Sequence, residues 1–595
     1  MNKYVLVAVA WPYANSDIHV GNITGSYLPA DVFARYHRLS GNNVLMVSGS
    51  DAHGTPVTVA ADSQGVTPQQ VYQKYHAGFL ELFQKLGLTY DLFTSTHTQN
   101  HFKVAQAIFQ ALRHNGFLYT ESETQWFAPA QVRFLPDRYV EGTCYICGFE
   151  NARGDQCDNC GSLLDARQII DPRSKIDGTT PELRETEHFY LDLGALEPAI
   201  VEFLQVRESY WRPNVLRQSL GQIQANGLHG RAITRDLDWG IPVPVENWQG
   251  KCLYVWFEAV IGYLSAAIEW AQLSKDSQAW ENWWLNSESL TYYFIGKDNI
   301  PFHAVIWPAQ LIGVGDWFGR LFFDRAGTRL TLPHDVPANE FLNLEGQKIS
   351  GSRNWAIWGL DFLSRFDPDP LRYYLIANMP ESKDTDWDWE DFVRRNNDEL
   401  VATWGNLANR VLAFAYKNWL GQVPDPGELR STDLDILHTV EAGFNSVGDL
   451  LQAVRLRMAL LEALRLAGEV NKYLDQAAPW FEVKTNKQGA AKTIFTALKA
   501  VDSLKILFSP FLPFSSQQLH ATLGYSKPLF GEQYTESIVD ELGEHTVLRY
   551  KPAPSNDQWH PSQLQPGQTL SQPAPLFRKL EPEVAEQERQ RLRRA

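Results

Sequence analysis

The sequence has few cysteines and no long apolar run. Only five of its 595 residues are cysteine, and four of these lie between positions 144 and 160. No apolar stretch reaches the ~18 residues that a transmembrane helix needs, and the short apolar run near the N-terminus leads directly into other structure, unlike a signal peptide. We therefore expect a cytoplasmic protein without membrane contact, whose clustered cysteines bind a metal instead of forming disulfides.

Positive charge is also in deficit. Lysine and arginine number 53 against 69 aspartate and glutamate residues, which gives a net charge of −16 at pH 7. This balance argues against broad, non-specific binding of nucleic acid, but it leaves room for a local, specific RNA contact. The 44% hydrophobic and 12% aromatic content is typical of a well-packed globular protein, and the length allows about three to five domains.

The first 38 residues predict a strand, a loop and a helix. Residues 4–10 form an unbroken apolar run, as in a parallel strand that is covered on both faces. Turn-forming residues follow, and from Ile23 apolar residues recur at helical spacing. This is the first unit of a Rossmann-type, doubly wound α/β sheet, whose ligands bind beyond the carboxyl ends of the strands. The HVGN sequence at 19–22 lies there, where a helix N-terminus favours a phosphate.

A second apolar strand at 41–48 leads into the sequence GSDAHGTP at 49–56. Asp51 would then lie at a strand's carboxyl end, beside the first loop, where its carboxylate could hold an ammonium group. The alternative is an aspartate that caps a helix or forms a turn. Helical periodicity also predicts helices over 68–86 and 99–116.

Residues 119–236 are predicted to form short, turn-rich pieces around a metal site. Cys144, Cys147, Cys157 and Cys160 form two CxxC units, which place four thiolates around one Zn²⁺ and leave no open coordination position. We therefore expect a structural zinc. The alternative, a pair of disulfides, would contribute only ~2–4 kcal/mol per bond, against ~10–16 kcal/mol for zinc in finger peptides. The fifth cysteine, Cys252, is predicted to be a buried thiol.

Apolar runs at 252–257 and 290–295 predict further strands of the sheet. A glycine turn and a helix follow the second run, which would place Gly296 and Asp298 near a ribose. Trp256, Tyr263 and His303 could supply an aromatic wall; for Trp256 and Tyr263, burial in the core is an equally good interpretation.

The remainder of the chain combines a polar loop with a helical region. The loop at 346–354 is either a solvated linker or, through Lys348 and Arg353, a site for polyphosphate. Residues 395–524 predict an antiparallel helical bundle, on which Asn406 and Arg410 face outward and Trp480 lies at a helix end. The tail from residue 551 is linker-like, and 586–594 is predicted to be helical.

Five motifs in this order resemble the methionyl-tRNA synthetase family of class I aminoacyl-tRNA synthetases, over nearly the whole chain. They are PYAN…HVGN at 12–22, similar to PYANG…HIGH; GSDAHGTP at 49–56, similar to GTDxHGTP; VWFEAVIGY at 255–263, similar to VWLDAPIGY; FIGKD at 294–298; and KISGS at 348–352, similar to KMSKS. The cysteine cluster lies between the second and third motifs.

The resemblance implies ATP-dependent activation of L-methionine to methionyl-adenylate and transfer to the 3′ end of tRNA(Met), with AMP and pyrophosphate released. The implied methionine-binding residues are Trp11, Tyr13, Asp51, Trp256, Tyr263, Asn299 and His303. Those implied for ATP are His19, Gly21, Asn22, Gly296, Asp298, Lys348 and Arg353, of which His19, Asn22 and Lys348 are catalytic. Mg²⁺ is implied with ATP. Anticodon recognition falls to Asn406, Arg410 and Trp480, where an aromatic ring can stack a splayed base.

Four residues depart from the family pattern: Asn22 for the second histidine of HIGH, Gly351 for the second lysine of KMSKS, Val260 for proline, and Trp11 for leucine. The loss of one transition-state donor can cost ~2.7–4 kcal/mol. We hypothesise that Arg353 or Lys348 compensates at the phosphates.

The resemblance implies six regions, and other functions remain open. The regions are a first Rossmann half (1–118), a connective insertion with the zinc knuckle (119–236), a second Rossmann half (237–325), a loop and stem-contact region (326–394), an α-helical anticodon-binding domain (395–545) and a C-terminal tail (546–595). The alternatives are a non-catalytic tRNA-binding paralogue and a free-standing nucleotidyltransferase. The leucine, isoleucine and valine enzymes are less similar because their editing insertion is larger. A monomer is expected.

Overall fold

A seven-stranded sheet forms the centre of the computed structural model, which describes residues 2–136, 139–154, 157, 159–160, 164–323, 327–351, 354–553 and 558–594. Five strands run parallel, and an antiparallel hairpin extends one edge. Across the sheet the strands are Ala338–Asn339, Leu290–Gly296, Tyr4–Val9, Asn43–Ser50, Leu92–Ser95, Gly543–Lys551 and Glu532–Asp540. The parallel order, with the opening strand in the middle, confirms the predicted doubly wound architecture.

Helices cover both faces of this sheet. Val7 and Val9 of the opening strand belong to one apolar core, whereas Leu6 and Ala8 belong to the other, because alternate residues of a strand face opposite layers. The helices of this part are Val20–Asn22, Ile23–Tyr27 and Leu28–Leu39 in one continuous segment, then Thr55–Gln64, Pro68–Leu86, Gln99–His114, Glu281–Trp284, Phe302–Ile306, Trp307–Val314, Trp317–Phe323, Gly359–Leu363 and Pro368–Ala377. The helices predicted over 68–86 and 99–116 are confirmed.

An insertion between the strands Leu92–Ser95 and Leu290–Gly296 is more regular than its sequence indicates. A long antiparallel ribbon pairs Leu118–Ala128 with Glu182–Leu191. The prediction of short pieces is therefore wrong for this ribbon. It is also wrong for the helices Leu193–Gln205 and Pro213–Asn226, which join the core on one face of the central sheet. The other elements are the short strands Arg133–Phe134, Arg231–Ala232, Thr234–Arg235, Val140–Thr143, Ala152–Arg153 and Ile170–Ser174.

The prediction of a strand over 252–257 is wrong. Only Cys252–Leu253 is extended, and it pairs with Thr234–Arg235 outside the central sheet. Helical structure begins at Val255 and continues to Gln272. A short apolar run cannot by itself distinguish a buried strand from a buried helix, and this helical segment is buried along almost its whole length. Cys252 is buried as predicted, and its thiol donates to the carbonyl of Leu237 (3.0 Å).

The C-terminal half contains the predicted helical bundle. Three long helices pack against one another: Ser431–Gln452, Leu456–Ala477 and Lys487–Phe508. The remaining helices are Trp389–Arg395, Asn396–Gly405, Asn406–Asn418, Pro479–Glu482 and Pro513–Thr522. Within the described ranges, none of the helices is long and apolar enough to cross a membrane.

The described residues from Glu532 onward pack back against earlier parts of the chain, which the sequence did not indicate. The hairpin Glu532–Asp540 and Gly543–Lys551 joins the central sheet through Leu548 opposite Phe93, although residues up to 545 were assigned to the α-helical anticodon-binding domain. The prediction of a linker-like tail is also wrong. Leu564, Leu570 and Leu580 are buried in the main core, and the predicted terminal helix is present as Glu583–Arg594.

Candidate active site

The helix that follows the opening strand begins at the predicted phosphate position. His19 caps it: its Nδ1 accepts from the Asn22 backbone N–H (3.3 Å), and Asn22 Oδ1 accepts from the His19 N–H (3.2 Å). Burial lowers the pKa of His19 to about 4, so the ring is neutral at pH 7. Because Nδ1 accepts, the ring proton lies on Nε2. The helix N-terminus thus combines its backbone dipole with an imidazole N–H that can donate to an anion.

The described part of the loop at 346–354 approaches this helix N-terminus through Ile349. A Cβ atom on Gly21 would be 3.0 Å from the His19 ring and 3.2 Å from Cδ1 of Ile349, so only glycine fits there without displacement. Trp358 pairs with His19 through a backbone bridge, and their rings are 6.0 Å apart. A Cβ on Gly351 would lie 3.1 Å from Cη2 of Trp358. The indole therefore crowds the position at which the family has its second lysine.

Lys348 is carried by a small hairpin. The strands Leu342–Leu344 and Gln347–Lys348 pair antiparallel, and Thr385–Trp387 adds a third strand. The Lys348 side chain is exposed, with Nζ 4.8 Å from the centroid of the Phe341 ring. Arg353, the other predicted phosphate cation, lies outside the described residues.

Asp51 lies beside the first loop, as the positions of the strand ends predict. Its N–H donates to the carbonyl of Pro12 (2.8 Å), and its carbonyl accepts from the N–H of Ala14 (2.9 Å). The side chain is only 2% exposed. Burial raises the pKa of Asp51 well above its ordinary range, and the charge of Glu258 raises it further.

Glu258 belongs to a buried ionic network that the sequence analysis missed. Its Oε1 is 2.8 Å from Nδ1 of His53, and its Oε2 is 2.6 Å from Nε2 of His101. His53 Nε2 in turn is 3.0 Å from Nδ1 of His97. Burial raises the pKa of Glu258, but the two imidazoles outweigh it and leave that pKa lowered. The partners are too far apart in sequence for any spacing rule to connect them.

Three aromatic rings contact one another in a row that begins at Tyr13, the backbone partner of Asp51. Tyr13 meets Trp256 edge to face at 5.6 Å, and Trp256 stacks on Phe302 with ring centroids 4.2 Å apart. Tyr13 also forms a backbone bridge to Asp51. The structure thus brings together Tyr13 and Trp256, two of the implied methionine-binding residues, and Phe302 is an aromatic neighbour that sequence reasoning did not find.

Tyr263, His303 and Asn299 form a hydrogen-bonded chain behind these rings. Because a carbonyl can only accept, His303 donates from Nδ1 to the Asn299 carbonyl (2.9 Å). Its Nε2 then accepts from the Tyr263 hydroxyl (2.7 Å). Burial lowers the pKa of His303 to about 4, which keeps the ring neutral. These hydrogen bonds therefore fix the tautomer of His303, with the ring proton on Nδ1.

Trp11 fills a slot made by two glycines. A Cβ on Gly49 would lie 2.1 Å from the Trp11 ring, and a Cβ on Gly262 would lie 2.6 Å from it. The Trp11 ring is also 6.3 Å from that of Tyr263. Tryptophan at this position, a departure from the family pattern, is thus accommodated by glycines on two neighbouring elements.

The second predicted glycine turn follows the strand next to the opening one. Val9 pairs with Phe294, and the turn Lys297–Asn299 follows. Gly296 is half-buried and Asp298 is exposed. Lys297, in contrast, is bound to Glu340 and Asp384 at 2.8 Å each. Asp298 is therefore the exposed side chain of this turn, and the contact of Gly296 and Asp298 with a ribose stays a prediction.

A cleft of about 810 Å³ separates the aromatic rings from the ribbon of the insertion. Tyr13 and Trp256 line one side, and Glu123 lines the other. Arg235 also lines the cleft, with its guanidinium 4.1 Å from the centroid of the Tyr254 ring; burial lowers its pKa. The sequence analysis did not single out this arginine.

The four clustered cysteines converge in the insertion. The ligand atoms of Cys144, Cys147, Cys157 and Cys160 all lie within 4.8 Å of one another, so they could hold one metal ion such as zinc. The Ile146 N–H points to Cys144 Sγ (3.4 Å), and Gly148 takes the positive φ (75°) that the knuckle turn needs.

The predicted anticodon residues share one face of the helical bundle. Asn406 and Arg410 are exposed and four residues apart on one helix. The Arg410 guanidinium lies 4.8 Å from the centroid of the Trp480 ring and 3.2 Å from Asp475. Trp480 is half-buried, next to the strongly exposed Phe481.

Comparisons with known proteins agree with this arrangement. A family model described as tRNA synthetases class I (M) matches residues 5–412, and one described as the anticodon binding domain of methionyl tRNA ligase matches residues 423–548. The methionine–tRNA ligase of Thermomicrobium roseum is 54% identical over 594 residues, which cover 100% of this chain and 99% of that protein. The chain belongs to the methionyl-tRNA synthetase family. The corresponding ligase of a Roseiflexus species is 52% identical over 601 residues, with the same coverage.

Solved structures support the fold of this synthetase. Mycobacterium tuberculosis methionyl-tRNA synthetase in complex with methionyl-adenylate aligns with a TM-score of 0.74 at 24% identity, covering 97% of this chain and all of that one. The activity of the chain is that of a methionine–tRNA ligase. Full-length ligase relatives and the anticodon domain give no support to the non-catalytic paralogue or the free-standing nucleotidyltransferase.

Proposed function

We propose that the residues gathered around the first loop carry out the adenylation step of this ligase. The observation that carries the proposal is the buried Asp51, hydrogen-bonded through its backbone to the loop that leads to the His19 helix. An ionised Asp51 would hold the ammonium group of methionine. Its partners for the thioether would be Tyr13, Trp256, Tyr263 and His303, with Trp11 and Asn299 supporting them.

ATP would bind at the helix N-terminus, where a phosphate meets the dipole and the Nε2–H of His19. Gly21 leaves room for the close approach of the ligand, and the backbone N–H of Asn22 orients the His19 ring by donating to its Nδ1. Gly296 and Asp298 would contact the ribose. Lys348, with Arg353 as a further candidate, would neutralise the polyphosphate, and Mg²⁺ would accompany ATP.

The chemistry needs position and charge more than a covalent nucleophile. The methionine carboxylate attacks the α-phosphate in line and pyrophosphate leaves, so the protein must align the reactants and stabilise the charge that develops. A hydroxyl of the terminal tRNA ribose then attacks the adenylate carbonyl and releases AMP. The half-buried Arg235 lines the same cleft and would add positive charge near the reacting carboxylate.

Outside the active site, we propose zinc as the metal of the cysteine cluster, with a structural role. Asn406, Arg410 and Trp480 would read the anticodon, with one base stacked on the indole for ~1–3 kcal/mol. A monomer and a cytoplasmic location complete the proposal.

The decisive experiment is methionine-dependent exchange of pyrophosphate into ATP without tRNA, against a panel of amino acids. We expect exchange with methionine, and a loss of at least ~100-fold in Asp51→Asn, because a buried ion pair is removed. Trp480→Ala should retain exchange but lose tRNA charging. An Asp51→Asn enzyme with unchanged exchange would contradict the role of Asp51, and unchanged exchange in Arg353→Ala would contradict that of Arg353.

A further inference from the structure

The turn of the hairpin that carries Lys348 has a backbone conformation that few residue types adopt. Leu344 pairs with Gln347, so Glu345 and Gly346 form a two-residue loop. Both have positive φ, 48° and 75°. Positive φ at both central residues is the property of type I′ hairpins, which favour Asn-Gly because glycine and asparagine tolerate it. Glu345 does not share that tolerance, and such a residue persists only where its surroundings hold it.

Two groups hold the Glu345 carboxylate. Its Oε1 accepts from the backbone N–H of Trp389 (3.1 Å) and from Nε of Arg589 (3.1 Å). The same guanidinium reaches Glu390 (2.8 Å) and Asp388 (3.4 Å), at the start of the helix Trp389–Arg395. Arg589 thus lies among three carboxylates.

Arg589 belongs to the terminal helix Glu583–Arg594, which is anchored to the rest of the molecule independently of this hairpin. Glu588 is buried and forms a bidentate pair with Arg365 (3.0 and 2.9 Å). The segment before the helix is fixed as well, since Leu580 is buried and exchanges two hydrogen bonds with Asn397. The helix therefore presents Arg589 from a fixed position.

The other end of the hairpin contacts the ATP side of the site. Asn343 pairs with Lys348, and Ile349 lies next to Gly21 at the helix N-terminus. A change at the turn therefore moves the strand that bears Lys348 relative to the His19 helix.

We propose that Arg589, on the terminal helix, is a positioning residue for adenylation: it holds Glu345 in the hairpin turn and so sets the reach of Lys348 to the ATP phosphates. This rests on the proposed role of Lys348. The C-terminal helix, although far from the site in sequence, thus helps to position the hairpin that carries Lys348.

The test compares Arg589→Gln with Arg591→Gln, which lies on the same helix and whose side chain is 59% exposed and pairs with Glu588 of its own helix. Arg589→Gln should raise the KM for ATP in the exchange reaction about fivefold, the size of effect that one ordinary hydrogen bond has, and leave the KM for methionine unchanged. Hydrogen exchange of the amides at 343–348 should quicken. Arg591→Gln should match the wild type in each measurement.

A rescue separates positioning from a general loss of stability. Glu345→Asn converts the turn to Asn-Gly, which adopts a type I′ turn without external support. In that background Arg589→Gln should change neither the KM for ATP nor the exchange of 343–348. A double variant as impaired as Arg589→Gln alone would overturn the proposal, as would a wild-type KM for ATP and wild-type amide exchange in Arg589→Gln.

Lys348→Ala distinguishes failure of the proposed function from failure of this inference. If Lys348→Ala reduces pyrophosphate exchange but Arg589→Gln leaves the KM for ATP and the amide exchange unchanged, the role of Arg589 is overturned and that of Lys348 stands. Unchanged exchange in Lys348→Ala would overturn the role of Lys348, and with it the catalytic part of the inference.

Discussion

Asp51 and Glu258 place two carboxyl groups in one buried space, so the charge of one depends on the other. The pKa of Asp51 is raised by burial and by the Glu258 charge. A bound ammonium requires Asp51 to be ionised, and binding must therefore release a proton wherever free Asp51 is protonated. Methionine affinity should consequently rise with pH and level off above the pKa of Asp51.

Replacing Glu258 by glutamine should shift this pH profile to lower pH. The substitution removes the negative neighbour, which lowers the pKa of Asp51 and lets methionine bind at a lower pH. Calorimetric titration with methionine between about pH 5 and 9 would measure the midpoint and the proton release together. Glu288→Gln, at an exposed position, is the control. A midpoint that stays in place or moves upward in Glu258→Gln would contradict the coupling.

At the residue scale, sequence reasoning succeeded where the signal was local. His19 and Asn22 share one turn at the start of a helix, and Asp51 follows directly after a strand. Their location at the carboxyl ends of the strands could therefore be predicted from the order of strand, loop and helix. The network around Glu258 could not, because its partners His53 and His101 are 205 and 157 residues away in sequence.

At the scale of elements, helices with strong end signals were predictable. Pro68–Leu86 has a capping box between Thr67 and Gln70 and ends at Gly87 with positive φ. The segment at 252–257 has no comparable signals, and its apolar run fits either a strand or a buried helix. The hairpin of residues 532–551 has its partner, Leu92–Ser95, more than 430 residues earlier in the chain, so no local pattern could assign it.

The cysteine cluster is the element whose stability depends most on a ligand. Among the described residues its apolar core consists of Cys144, Ala152, Cys157 and Ile169, with Phe149 and Leu164 packed against them, separate from the two large cores. So small a core contributes little folding free energy, whereas a structural zinc contributes ~10–16 kcal/mol in finger peptides.

Removal of the metal should therefore unfold this element locally. Chelation, or Cys157→Ser, should speed amide hydrogen exchange in the described parts of 139–174 while the exchange of the opening strand Tyr4–Val9 is unchanged. Elemental analysis should find about one zinc per chain before chelation. Cys252→Ser, outside the cluster, is the matched control. Protein purified without metal that shows full protection in this region would contradict the prediction.

At the scale of the whole molecule, the synthetase and anticodon parts share one core. Its buried residues run from Val5 in the opening strand, through Leu460 in the bundle, to Leu580 in the tail. The sequence predicted these as separate regions because each has its own periodicity, and periodicity carries no information on which elements pack together. The shared core implies that the two parts unfold as one unit.

A buried arginine also links the synthetase part to the anticodon part. Arg372 is fully buried and pairs with Asp31 of the first helix (2.7 Å). Its remaining donors reach the carbonyls of Leu86, Pro510 and Phe511 at 2.9–3.0 Å, so it joins the sheet's helices to the bundle. Burial raises the pKa of Asp31, but its arginine partners outweigh it and lower that pKa to about 2. The carboxylate thus contributes stability above its unfolded-state pKa, and this is lost as the pH falls towards 2.

Arg372→Leu should consequently destabilise the molecule and separate its two parts. The substitution breaks a buried ion pair, at a cost of up to ~3–5 kcal/mol, since Asp31 keeps Arg35 as a partner (2.9 Å) while the carbonyls of Leu86, Pro510 and Phe511 lose the guanidinium. In scanning calorimetry at pH 7, the wild type should unfold in one transition, whereas Arg372→Leu should show a lower Tm and a bundle transition resolved from that of the sheet. Arg465→Leu, which removes a 53%-exposed arginine paired with Glu462, should change stability by at most ~1 kcal/mol. If both variants unfold in one transition with the wild-type Tm, Arg372 does not join the two parts, and the shared apolar core alone accounts for their union.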